Sequence, residues 1–120
     1  MNGTTPSVLV VDDDYGLRTL SRIVLQLEGF EVREAASLSQ AEEALAERRP
    51  DAVLLDVHLG HEESKELFVR LRAEGIPVAA VTGTADIRDV GEWADATLTK
   101  PFDPVQLVAM AKRLARVDDE

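Results

Sequence analysis

The sequence predicts an α/β fold, a parallel sheet of five strands alternating with helices that cover both of its faces. Three observations carry this. Short apolar runs alternate with longer amphipathic segments five times along the 120 residues. Three of the short runs are apolar nearly throughout, as strands buried on both faces must be, and the other two alternate with polar residues. Hydrophobic residues make up 45% of the chain, enough for the core of one domain of this length, and aromatics only 4%, so that core is mainly aliphatic.

The elements follow in order. Residues 7–11, "SVLVV", read as a strand because they are short and β-branched. Residues 16–29 read as a helix with Leu17, Leu20, Val24 and Leu27 on one face, closed by Gly29 where a C-cap favours positive φ. Residues 30–35 alternate as the second strand. The second helix, 38–49, is capped by Ser37 with Gln40 or by Ser39 with Glu42, and Pro50 stops it. Residues 51–56 are the third strand, and 62–75 a helix with Leu67, Leu71 and Phe68 turned inward. Residues 76–82 form the fourth strand. Residues 85–93 make at most a short, weak helix interrupted by Gly91. Residues 95–100 form the fifth strand. Asp103, Pro104 and Gln106 then supply an N-cap, an N1 proline and an N3 glutamine for a last helix over 104–117.

The second and fifth strands carry the polar residues Glu31, Arg33, Thr97 and Thr99, so they belong at the sheet edges. Right-handed crossovers then give the order 2-1-3-4-5, a flavodoxin-like (βα)5 three-layer sandwich. One domain over 1–120 is expected, frayed at 1–6 and 117–120.

The absence of cysteine excludes disulfides and thiolate metal sites. With 23 acidic against 13 basic residues, a net charge of −10 argues against nucleic-acid binding by charge attraction. The start "MNGTTPS" has no signal-peptide pattern, and no apolar run approaches the roughly 20 residues that span a bilayer. A cytoplasmic protein without membrane insertion is expected.

In an open parallel sheet, ligands bind beyond the carboxyl ends of the strands. The first strand ends in Asp12 and Asp13, the third in Asp56, the fourth in Thr82 and the fifth in Lys100. An Asp at a strand end is a weak signal alone, because Asp favours turns and caps, and Asp14 is read as one of these. Five such groups at the ends of neighbouring strands converge on one site. Three close carboxylates repel one another, and a hard divalent cation such as Mg2+ relieves that. Lys100 adds a compact positive charge and Thr82 a hydroxyl donor, while a central Asp56 is placed to attack a phosphoryl group.

These motifs, "VLVVDDD" (8–14), "AVLLD" (52–56), "VTG" (81–83) and "TKPF" (99–102), resemble a response-regulator receiver domain of two-component signalling over essentially the whole chain. The resemblance implies phosphorylation of Asp56 by a phosphohistidine of a histidine kinase or histidine phosphotransfer protein. It implies Mg2+ held by Asp12, Asp13, Asp56 and the backbone carbonyl of His58. It implies phosphoryl contacts from Thr82 and Lys100, and a cis Lys100–Pro101 bond. Such a chain catalyses only its own phosphorylation and dephosphorylation, and acts as a switch, relay or phosphate sink, with a downstream protein target allowed and its oligomeric state open.

Thr97 departs from the family pattern, which has an aromatic there. The loop after Asp56 departs too, carrying Gly60 and Ser64 where a proline and a glycine are usual. His58 and Thr84 border the expected site and are candidates for setting the acyl-phosphate lifetime. His58, His61, Glu62 and Glu63 give only weak evidence for a zinc site. Trp93 is expected to be buried against the fifth strand, Phe102 under the last helix, and Tyr15 at the site edge or the start of the first helix. No DNA-binding or cyclase output domain is expected within these residues. Two other readings are open: a haloacid dehalogenase-type phosphatase using Asp12-x-Asp14 with Asp12 as nucleophile, and a receiver fold that binds a partner without being phosphorylated.

Overall fold

A computed structural model describes residues 5–83 and 90–117. The strands of the main sheet are β1 (Ser7–Val11), β2 (Glu31–Ala35), β3 (Ala52–Asp56), β6 (Val78–Thr82) and β7 (Ala96–Thr99). A two-stranded hairpin, β4 (His58–Leu59) and β5 (Glu62–Glu63), lies between β3 and the third helix. The helices are α1 (Tyr15–Leu27), α2 (Leu38–Glu47), α3 (Lys65–Ala73) and α4 (Pro104–Ala115). The sheet is parallel in the order β2-β1-β3-β6-β7. This is the expected 2-1-3-4-5 order once the hairpin strands are numbered. The largely apolar β1, β3 and β6 are central and buried along their length, while β2 and β7 form the edges.

Side chains alternate across the sheet, which divides the core in two. Leu9, Val11, Val53, Leu55, Val78 and Ala80 face α2 and α3, packing on Ala41, Leu67, Phe68 and Leu71. Val8, Val10, Leu54, Ala79, Val81 and Leu98 face α1 and α4, packing on Leu25, Leu107, Ala111 and Leu114. Phe102 is half-buried in this second cluster, as expected.

Caps behave as the residue types dictate. Ser37 accepts from the Gln40 amide, and Gln40 Oε1 reaches back to the Ala36 amide at 2.7 Å. Asp103 and Gln106 form the full capping box, with Pro104 in the first turn. Gly29 has φ +95°, which releases the chain from α1.

Several expectations change. On α1, Leu20 and Leu27 are exposed, and the inward face carries Ser21 and Leu25 instead. Both stripes include Leu17 and Val24. The small Ser21 is buried despite its polar type. The third helix begins at Lys65 rather than 62, because 58–63 are taken up by the hairpin. Trp93 packs on α3, its ring 6.0 Å from Phe68 with Lys65 Nζ 5.2 Å above it, and not on β7. It precedes β7 on the α3 side of the sheet, whereas the buried Leu98 of β7 faces the other core. The weak helix expected over 85–93 falls largely outside the described residues; of it, Val90–Trp93 form a turn held by Trp93 N–H to Val90 O at 2.9 Å. Of the expected frayed termini, 1–4 and 118–120 lie outside the described residues. Pro6 O accepts from Glu31 N–H at 2.8 Å, and Val117 N–H donates to Lys112 O at 2.9 Å. Among the described residues no helix is long and apolar enough to cross a membrane.

Candidate functional site

At the carboxyl end of the sheet, register decides which side chains meet. Val11 pairs with Leu55, so Asp12 stands one step beyond β1 beside Asp56 on β3. Asp56 pairs with Val81, so Thr82 follows directly at the end of β6. Thr82 pairs with Thr99, and its carbonyl accepts the Lys100 amide at 2.7 Å. The Lys100–Pro101 peptide that follows is cis.

Asp12, Asp13 and Asp56 each present a carboxylate oxygen, and these oxygens lie within 4.8 Å of one another. Asp12 and Asp56 are buried, Asp13 exposed. Lys100 Nζ lies 3.0 Å from Asp56 Oδ2 and 3.3 Å from Asp12 Oδ2. The other oxygens have backbone donors: Asp56 Oδ1 accepts from His58 N–H at 3.1 Å, and Asp12 Oδ1 from Asp14 N–H at 2.9 Å. Each buried carboxylate is thus held by one oxygen to the backbone and turns the other toward the lysine. Thr82 is buried at the same rim.

Burial raises the Asp56 carboxyl above its ordinary range, and the Asp12 charge adds to this; the Lys100 hydrogen bond pulls against both. Burial works to lower the Lys100 ammonium, but its hydrogen bond to Asp56 and the two carboxylate charges leave it raised overall. One ammonium does not neutralise three carboxylates. The donor set is all oxygen and partly open to solvent, which suits a hard cation that keeps several waters, such as Mg2+. The residues fit that ion.

Gly60 makes the hairpin turn with φ +63°, and a β-carbon built there would stand 3.8 Å from Asp13 Oδ2. The hairpin therefore closes beside the acidic cluster. His58 Nδ1 on β4 pairs with Glu63 Oε2 on β5 at 3.2 Å, both exposed. Among the described residues, His58, His61, Glu62 and Glu63 form no metal-sized group; the acidic triad is the group that does. Thr84 lies outside the described residues. Tyr15 starts α1, 72% exposed, with Arg18 stacked over its ring. Thr97 is half-buried, on the wall of an open groove of about 430 Å³ between β7 and α4.

Asp14 caps α1, its Oδ1 accepting from Leu17 N–H at 3.0 Å, and takes no part in the triad. The phosphatase reading would use Asp14 at the site, whereas here its Oδ1 is engaged in capping α1. Two residues around the site escaped the sequence reading. Ser64, buried at 1% exposure, donates its hydroxyl to the carbonyls of Asp56 at 2.8 Å and Val57 at 2.9 Å. Arg18 donates Nη1 to the Asp12 carbonyl at 2.7 Å. The replacement of a usual glycine marked Ser64 as unusual; for Arg18 the signal was only its place one turn beyond an acidic loop.

Comparison with known proteins agrees with this arrangement. A family model, the response regulator receiver domain, matches residues 8–112. The chain is 41% identical over 119 residues to the DNA-binding response regulator MtrA of Mycolicibacterium paratuberculosis, covering 94% of this chain and 53% of that protein. It is 33% identical over 118 residues to the phosphate regulon transcriptional regulatory protein PhoB of Pseudomonas aeruginosa, covering 92% and 52%. The chain thus spans about half the length of these relatives. The crystal structure of the receiver domain of NtrX from Brucella abortus superimposes with a TM-score of 0.84 at 28% identity, covering 92% of this chain and 99% of that one. With the acidic triad, the lysine and the strand order in place, the chain belongs to the response regulator receiver domain family.

Proposed function

We propose that this chain is a phosphoacceptor of two-component signalling, taking a phosphoryl group from a phosphohistidine onto Asp56. The observation that carries the reading is Lys100 Nζ set between Asp56 Oδ2 and Asp12 Oδ2, at 3.0 and 3.3 Å, beside a third carboxylate. A carboxylate oxygen of Asp56 attacks phosphorus, the P–N bond of the phosphohistidine breaks, and the imidazole leaves with a proton from solvent. The product is an aspartyl phosphate. Such a transfer asks for positioning and charge neutralisation more than for proton transfer. Lys100 supplies a fixed cation for the phosphoryl oxygens, and Thr82 a hydroxyl to bind one of them. Asp12, Asp13 and Asp56, with the His58 carbonyl, would hold Mg2+, which supplies further neutralisation when bound.

The donor is a histidine kinase or histidine phosphotransfer protein, and the chain acts in the cytoplasm as a switch, relay or phosphate sink. Its only chemistry is gain and loss of its own phosphoryl group. His58, two residues after Asp56, carries an exposed imidazole paired with Glu63, and it influences the water that removes the phosphoryl group.

Beryllofluoride, which mimics an aspartyl phosphate, tests the site. With Mg2+ present, it binds the wild type and not Asp56→Asn, and it shifts amide signals of residues around Thr82 and Lys100. Equal binding by Asp56→Asn contradicts the assignment. A chain that binds a partner while Asp56 stays unmodified would instead be an unphosphorylated binding module.

A further inference from the structure

The Asp12 carbonyl is held from behind, outside the acidic cluster. Arg18 Nη1 donates to it at 2.7 Å, and Arg18 Nε donates to Glu34 Oε1 at 3.0 Å. Glu34 Oε2 is in turn paired with Arg22 Nε at 2.6 Å. The Arg18 side chain keeps only 12% exposure, so it is packed in place and not a mobile surface cation. Its anchor, Glu34, lies on the edge strand β2, next to Ala35, whose carbonyl accepts the Asp12 amide at 3.0 Å.

The peptide plane makes this contact consequential. The Asp12 C=O and the Asp13 N–H belong to one rigid unit. The Asp12 amide is fixed by Ala35, and Asp12 Oδ1 by the Asp14 amide. With the carbonyl fixed as well, the plane from which Asp13 departs has a set orientation. The Asp13 side chain has no hydrogen-bond or ion-pair partner among the described residues. Its place in the triad therefore depends on the backbone that carries it.

We infer that Arg18, braced by Glu34, is a positioning residue that sets the Asp12–Asp13 peptide so that both carboxylates meet a cation together with Asp56. The inference rests on the Mg2+ reading of the triad. Charge alone predicts the opposite effect. A guanidinium near an acidic cluster repels an incoming cation, so its removal by that route would tighten Mg2+ binding. Loss of positioning weakens it. The sign of the change separates the two.

The experiment is calorimetric titration of the full chain with MgCl2 alone, at constant ionic strength. Groups that orient metal ligands are typically worth about 10–100-fold in affinity. Arg18→Gln is expected to weaken Mg2+ binding about tenfold, at the low end of that range. Arg18→Lys, which still offers a donor to the carbonyl, recovers part of the loss. Glu34→Gln weakens binding less, and adds nothing on top of Arg18→Gln. Arg18→Gln binding Mg2+ as tightly as wild type, or more tightly, overturns the inference whatever happens to stability. If Arg18→Gln does not fold, unchanged affinity in both Arg18→Lys and Glu34→Gln overturns it. A wild type that binds no Mg2+ refutes the Mg2+ reading itself, a result distinct from either.

Discussion

Ser64 Oγ lies 2.8 Å from the carbonyl oxygen of Asp56 and, through the same hydroxyl, 2.9 Å from that of Val57. Its effect passes through a peptide plane. Val57 C=O and His58 N–H are one rigid unit, and His58 N–H is the donor that holds Asp56 Oδ1. Ser64 thus steadies the group that orients the Asp56 carboxylate, and leaves Oδ2 facing Lys100.

Replacing Ser64 with Ala removes a buried donor shared by two carbonyls. A stability loss of about 1–2 kcal/mol is expected in urea unfolding, the scale of a lost buried hydrogen bond. Phosphorylation by a small phosphodonor should slow as well, because Asp56 is less well aimed. An Ala variant as stable and as fast as wild type would show that the hydroxyl is idle.

Asp56 places a stability penalty in the site. Its carboxyl is raised in the folded state, first by burial and then by Asp12. The folded chain therefore holds that proton more tightly than the unfolded chain. Stability falls as pH rises from the unfolded value of 3.8 through the folded one. Asp56→Asn should be more stable than wild type at neutral pH, because it removes the charge whose burial raises the Asp56 carboxyl. The gap should close in acid, where both side chains are neutral. Mg2+ should narrow it too, stabilising the wild type by about 1.4 kcal/mol at ten times its Kd and Asp56→Asn by less. Thermal melts at several pH values, with and without Mg2+, measure all three effects.

The α1 face can be tested by two leucines two positions apart. Leu25 is fully buried, whereas Leu27 is 81% exposed. Leu25→Ala should cost about 2–5 kcal/mol, and Leu27→Ala no more than about 0.5 kcal/mol. Equal costs in denaturant unfolding would restore the face read from the sequence.

Phe68 is fully buried against Trp93. Phe68→Ala should cost about 3–5 kcal/mol and shift the Trp93 emission to the red as water reaches the indole. Emission unchanged in the folded variant would mean that Trp93 does not depend on α3.

The parts of this molecule that were legible in the sequence share one property: a break in local pattern marks them. Asp12, Asp56 and Thr82 each end an apolar run and Lys100 an alternating one, so strand, terminus and site could be read together. Asp103, Pro104 and Gln106 name their own cap. What escaped depends on neighbours that no local pattern reveals. Two-residue strands such as His58–Leu59 and Glu62–Glu63 are too short to show a period. Ser21 is polar by type and so was not read as inward, yet it is buried with Leu25 on the inner face of α1. Arg18 became meaningful only once β2 placed Glu34 beside it. Trp93 precedes β7 in sequence but packs on α3, because the chain crosses to that side of the sheet before the strand begins.

The central claim is that Asp56 accepts the phosphoryl group in a pocket completed by Asp12, Asp13, Thr82 and Lys100. Peptide mapping by mass spectrometry, after exposure to Mg2+ and acetyl phosphate and trapping of the adduct with borohydride, tests it most directly. A single modified residue at Asp56, absent without Mg2+, is the predicted result. Modification at Asp12, or none at Asp56 in a folded chain that binds Mg2+, would contradict it.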